Sequence, residues 1–95
     1  MPDPEFADNV AQSRFELRID GRVAGFADYR KDGDALCIVH TEVAPGNEGG
    51  GLGSKLAKAA LDTLRQRGQH VVPECDFIAG YIQRHPQYAD LVAQS

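Results

Sequence analysis

The sequence predicts a single α/β domain in which an antiparallel β-meander is followed by helix, strand and helix, in the order β-β-β-α-β-α. Three observations carry that prediction. Apolar and charged residues alternate from Arg14 to Asp20 and the pattern resumes after an Asp-Gly turn; a continuous apolar run opens at Ala35; and Leu52, Leu56, Ala59, Ala60 and Leu64 recur at helical spacing ahead of a second, shorter helical pattern. Ninety-five residues build one small core and not two. Three strands joined by turns, with a fourth reached through a helical crossover, predict a sheet with a helix on each face.

Residues 1–12 are acidic, hold Pro2 and Pro4 and show no periodicity, which predicts a disordered tail ahead of a domain spanning 13–95. Phe15, Leu17 and Ile19 then alternate with Arg14, Glu16, Arg18 and Asp20 as in a half-buried strand. Asp20-Gly21 suits a two-residue hairpin turn. Counting back from it pairs Ile19 with Arg22, Leu17 with Ala24 and Phe15 with Phe26, so that the apolar residues share one face. A second turn at Asp32-Gly33 leads to Ala35-Leu36-Cys37-Ile38-Val39, apolar on both faces, which predicts the central strand, running on to Val43. The helix over Leu52 to Arg67 carries Lys55, Lys58, Asp62 and Arg65 opposite its apolar stripe, and Gly68 is its natural stop. Val71-Val72 begins the fourth strand. Asp76 can cap a last helix with Phe77, Ile78, Tyr81 and Ile82 on one face, ended by His85-Pro86.

Composition narrows the function. The hydrophobic fraction of 42% and charged fraction of 25% are those of a folded domain, without a stretch apolar enough to span a membrane. Met1-Pro2-Asp3-Pro4-Glu5 lacks the basic start and apolar run of an export signal, so the expected location is cytoplasmic, with Cys37 and Cys75 as reduced thiols. A formal charge of −4 with scattered Lys and Arg argues against a nucleic-acid partner. Cys37, His40, His70, Cys75 and His85 show no zinc spacing continued by a second pair, so no metal is expected. The expected state is a monomer or weak dimer.

The segment Glu48-Gly49-Gly50-Gly51-Leu52-Gly53-Ser54 joins the apolar strand to the amphipathic helix and places four glycines in five residues. Backbone without Cβ atoms can approach a ligand closely, and the first-turn N–H groups of the helix point outward toward any anion. A P-loop would need Lys after its last glycine, where this chain has Leu52 or Ser54, so a nucleoside triphosphate is disfavoured. A dinucleotide fingerprint starting at Gly49 would need glycine at Ser54 and a place after the first strand of a βαβ unit, and it too fails.

What remains is the pattern [Gln/Arg]-x-x-Gly-x-[Gly/Ala], matched by Glu48-Gly49-Gly50-Gly51-Leu52-Gly53 at all but its first position. This resembles the acyl-CoA loop of the GNAT superfamily of acetyltransferases. The resemblance extends through His40-Thr41-Glu42-Val43 upstream and Pro73-x-Cys75-x-Phe77, Tyr81 and His85-Pro86 downstream, over most of residues 14 to 92, and is closest to small, minimal members. It implies a minimal GNAT-like fold and acetyl-CoA as cosubstrate. The pyrophosphate would rest on the N–H groups of Gly49, Gly50, Gly51, Leu52, Gly53 and Ser54, and the pantetheine arm beside the strand ending at Val43. Glu48 departs from the usual Gln or Arg.

Acetyl transfer to an amine needs an acceptor for the amine proton and stabilisation of the developing oxyanion and thiolate. Glu42, at the end of the strand where the thioester should lie, is the candidate base, with His40 ranked below it. Cys75 stands just before a helix start, where thiols are activated, but Glu74 and Asp76 flank it. It reads as a nucleophile, a positioning residue or a packed core residue. Tyr81 corresponds to the tyrosine that superfamily enzymes use to protonate the departing thiolate, packing being its other reading. The acceptor implied is a protein lysine, a polyamine or a small amine. A non-catalytic CoA-binding module that signals to a protein partner would keep the loop without turnover.

Overall fold

The computed structural model describes residues 4–44 and 51–93. Its five strands are β1 (Glu5–Asn9), β2 (Arg14–Ile19), β3 (Arg22–Asp32), β4 (Ala35–Val43) and β5 (His70–Pro73), and its helices are α1 (Leu52–Arg67) and α2 (Asp76–Arg84). Short 3-10 segments occupy Val10–Gln12 and Pro86–Leu91. The strands lie in the order β1-β2-β3-β4-β5, antiparallel up to β4, with β4 and β5 parallel across the α1 crossover. The meander followed by helix, strand and helix is the order that periodicity predicts.

The segment read as a disordered tail contains an edge strand instead. Phe6 stacks on Phe15 at 5.5 Å, and Asp8 accepts hydrogen bonds from the Tyr29 hydroxyl at 2.6 Å and the Arg67 guanidinium at 2.9 Å. With β1 in place, β3 rather than β4 is the middle strand.

The hairpin turn forms as expected, Asp20 and Gly21 both taking positive φ (53° and 79°) and Ile19 pairing with Arg22. The predicted register holds through Arg18 opposite Val23 and fails beyond it. An irregularity between Leu17 and Arg18 sets Leu17 opposite Gly25 and Phe15 opposite Ala27. Space explains the shift: a Cβ on Gly25 would lie 3.3 Å from the Glu42 carbonyl oxygen and 3.6 Å from Leu52. Small residues under α1 let the helix settle on the sheet, and Phe26 turns to the opposite face.

Both helices pack on one face, which corrects the expectation of one on each. Phe15, Leu17, Ala27, Leu36 and Ile38 from the sheet, Leu56, Ala60, Leu61 and Leu64 from α1, and Ile78, Tyr81 and Ile82 from α2 form a single core. Each fully buried leucine contributes roughly 1.5–3 kcal/mol. Among the described residues no helix covers the other face. There Glu16, 1% exposed, accepts hydrogen bonds from Arg14 at 2.6 Å, Arg18 at 2.9 Å and Asn9 at 3.1 Å, while the Arg14 guanidinium lies 4.7 Å above the Phe26 ring. Gly68, in the left-handed conformation, ends α1 by donating its N–H to Arg65 and Leu64 carbonyls. Cys75, not Asp76, is the N-cap of α2, and Asp76 is its first helical residue.

Candidate functional site

The site arises where the sheet stops being regular. β4 pairs with β3 along its length to Val43, yet with β5 only from Ala35 to Ile38. Two local causes end the second ladder. On β5, Val71 turns its carbonyl to the Ala93 N–H and by alternation Pro73 faces the same way, while the next N–H in line for β4, that of Glu74, donates to the Val72 carbonyl at 3.0 Å. On the other side, the β3–β4 register jumps from Tyr29↔Ile38 to Asp28↔His40, leaving Val39 as an extra residue that bends β4. The Cys75 N–H to Ile38 carbonyl bond of 3.0 Å is the last link, and among the described residues nothing pairs with the open flank of residues 39–43 beyond it.

Alternation sorts the side chains around this flank. Thr41 and Val43 lie on the helix face, Val43 packing against the core and Thr41 accepting a hydrogen bond from the Cys75 thiol at 3.4 Å. His40 and Glu42 lie on the bare face, exposed, with His40 Nε2 3.6 Å from Glu42 Oε1 and the His40 ring 6.1 Å from Phe26. The open flank is thus bordered by a half-buried thiol on one side of the sheet and a carboxylate–imidazole pair on the other.

The first turn of α1 stands over the same end of β4. Gly51, at φ 75°, is the N-cap and offers no side-chain hydrogen bond, and the first turn holds no acid. Among the described residues nothing accepts from the N–H groups of Leu52, Gly53 and Ser54. Those donors and the positive end of the helix dipole fit an anion, and the glycine conformation at Gly51 keeps their approach clear. Leu52 turns its side chain into the core, so only its backbone is available; Ser54 is exposed. Gly49 and Gly50, and with them Glu48, lie outside the described residues.

Tyr81 is taken into the core. Its ring stacks on His85 at 4.0 Å and meets Tyr88 at 6.0 Å, and the His85 Nδ1–H donates to the Tyr81 carbonyl at 2.9 Å. Its hydroxyl has no hydrogen-bond partner among the described residues. Cys37 is buried at the paired end of β4, where burial pushes its thiol up. The structure therefore gathers Glu42, Val43, Cys75 and the α1 first turn around one strand end, with Tyr81 in the α2 packing. Sequence reasoning did not single out Thr41 or Gly25; the only available signals were a polar residue in strand alternation and a glycine inside a strand.

A mixed sheet whose parallel pair parts beneath an open helix N-terminus defines an α/β domain with backbone donors at the helix start beside an unpaired strand edge. Residues 14–91 match the family described as GCN5-related N-acetyl-transferase, and the chain belongs to that family. The fold is similar to the solution structure of a GCN5-like N-acetyltransferase candidate from Staphylococcus aureus, at 23% identity and TM-score 0.73, over 100% of this chain and 93% of that one. A crystal structure of nourseothricin acetyltransferase shares 22% identity at TM-score 0.44, over 90% of this chain and 66% of that one. A comparison with the curated proteins gives no match.

Proposed function

We propose that this chain is an acetyl-CoA-dependent N-acetyltransferase acting on a primary amine. The observation that carries the reading is the coincidence, at one strand end, of the unpaired flank of β4 and the open first turn of α1. Acetyl-CoA supplies an activated acyl group on a thioester. The chain's part is to hold and orient it: backbone N–H groups from Gly49 to Ser54 receive the pyrophosphate, and the backbone of residues 41–43 lies along the pantetheine arm. By strand alternation the N–H of Ala44 points to Ala24, so Thr41 and Val43 direct theirs to the open flank.

The two faces of the flank divide the remaining work. The acceptor approaches from the bare face, where Glu42 takes the amine proton, directly or through water, with His40 as its neighbour. Cys75 stands on the helix side, beside the thioester, as a positioning residue. Tyr81 is the candidate donor to the departing thiolate, its hydroxyl being the part of the side chain left free by the stack. A face without covering helices suits a protein lysine or a polyamine, and the chain's net charge of −4 favours a cationic acceptor.

Titration calorimetry with CoA and acetyl-CoA tests the reading, with Gly51→Glu as the variant that places a carboxylate in the cradle. Saturable binding lost in the variant supports it; no binding at millimolar ligand overturns it. The second reading, a CoA-binding module that reports to a protein partner, draws on the solvent exposure of Glu42, whose side chain is 58% exposed. Tight CoA binding without acetylation across a broad panel of amines would favour it.

A further inference from the structure

We propose that Phe77 is a positioning residue for this site: its ring, seated on Gly53, ties the first turn of α2 to the first turn of α1 and so holds the anion cradle against the open flank of β4. The proposal rests on the reading of the site given above. Gly53 belongs to the glycine loop, where its obvious role is to let a phosphate come close. Its neighbours say otherwise. A Cβ built on Gly53 would lie 2.8 Å from Phe77 Cζ and 3.4 and 3.5 Å from the two Cε atoms, so any side chain there would displace the ring. Unlike Gly51, Gly53 has no positive φ that demands glycine. In a helix turn alanine would be the better residue, so the glycine is explained by what sits on it.

Phe77 is also misplaced for a core residue. Ile78, Tyr81 and Ile82 carry α2 into the core, whereas Phe77 remains 37% exposed. Two residues earlier, Cys75 fixes the start of α2 to the sheet through its N–H to the Ile38 carbonyl and its thiol to Thr41. The N-terminus of α2 is therefore pinned at the point where β4 and β5 part, and the Phe77 ring is its contact with the α1 first turn. Removing that contact leaves each helix attached to the sheet but frees their first turns from one another.

The test is a double-mutant cycle of Gly53→Ala, Phe77→Ala and the pair, read by thermal unfolding, by the proton resonances of Gly53 next to the ring, and by CoA affinity well below the melting temperature. Gly53→Ala should lower the melting temperature despite its better helix propensity and weaken CoA by about tenfold, the size expected of overpacking strain passed to the site. Phe77→Ala should weaken CoA comparably and remove the ring-current shift at Gly53. Adding Gly53→Ala to Phe77→Ala should then cost no further affinity and raise the melting temperature above that of Phe77→Ala alone. An equal loss from Gly53→Ala in both backgrounds would overturn the proposal in favour of direct phosphate approach. Melting shifts without any change in CoA affinity would overturn it as well, by reducing the contact to a structural one. Failure of the wild-type chain to bind CoA would overturn the functional reading and the proposal with it, while the coupling in melting temperature would show whether the contact itself exists.

Discussion

Among the described residues Glu16 is the one buried charge, and its partners decide its state. Burial pushes its carboxyl up, but hydrogen bonds from Arg14, Arg18 and Asn9 outweigh burial and hold it at about 2, below the ordinary 4.5. A depressed carboxyl contributes stability that is complete above pH 4.5 and is lost as pH falls toward 2. Urea unfolding at successive pH values should show that loss, and Glu16→Ala should flatten it while costing about 2 kcal/mol at pH 7, less than a fully buried pair because both arginines keep contact with water. The tyrosines respond at the other end of the scale. Burial and the carboxylates of Asp8 and Asp62 push Tyr29 and Tyr88 up from 10 to about 12, so their stabilisation is complete below pH 10 and fades as pH rises toward 12. Ultraviolet titration should find both phenols ionising late, with Tyr29→Phe and Tyr88→Phe each removing one late component. Neither tyrosine pairing was legible in the sequence, because Tyr29 and Asp8 stand 21 residues apart and Tyr88 and Asp62 stand 26 apart.

Elements were legible where a local rule fixed both their ends. The bounds of α1 fell where the helical stripe and Gly68 placed them, since a left-handed cap requires little else than glycine. Gly68→Ala should therefore cost about 1 kcal/mol, measured by denaturant unfolding, from the strain of a Cβ at φ 70°. β1 escaped notice because its Asp8 is satisfied by residues up to 59 positions away, as in the Asp8–Arg67 pair. The two irregularities, at Leu17/Arg18 and at Asp28/Tyr29, escaped because alternation assumes an unbroken period of two. Gly25 marks the first of them. Its replacement by valine would drive side-chain atoms into the Glu42 carbonyl and Leu52, lifting α1 from the sheet, and should destabilise the fold by about 1–3 kcal/mol in the same unfolding assay.

At the scale of the molecule, the site is a place where three elements end: β4, α1 at its first turn, and α2 at its cap. A ligand that bridges them should act on global stability. Acetyl-CoA at about a hundredfold over its dissociation constant should add about 2.7 kcal/mol, visible as a rise in melting temperature that Gly51→Glu abolishes. The glycine loop, Cys75 and Glu42 could be named as candidates from the sequence, because each rests on a local signal. It could not show that Thr41 joins Cys75, or that Glu42 faces away from the helices, because both depend on a strand partner that stops early. That early stop has a further meaning. Deleting Val39 would leave Ile38 and His40 opposite their present partners on β3 and restore an ordinary strand. A protein engineered toward an ideal sheet would then gain order and lose the bend that borders the gap on which the proposed chemistry depends; here imperfection is the inherited trait, and a search for greater stability that begins with β4 would select against use.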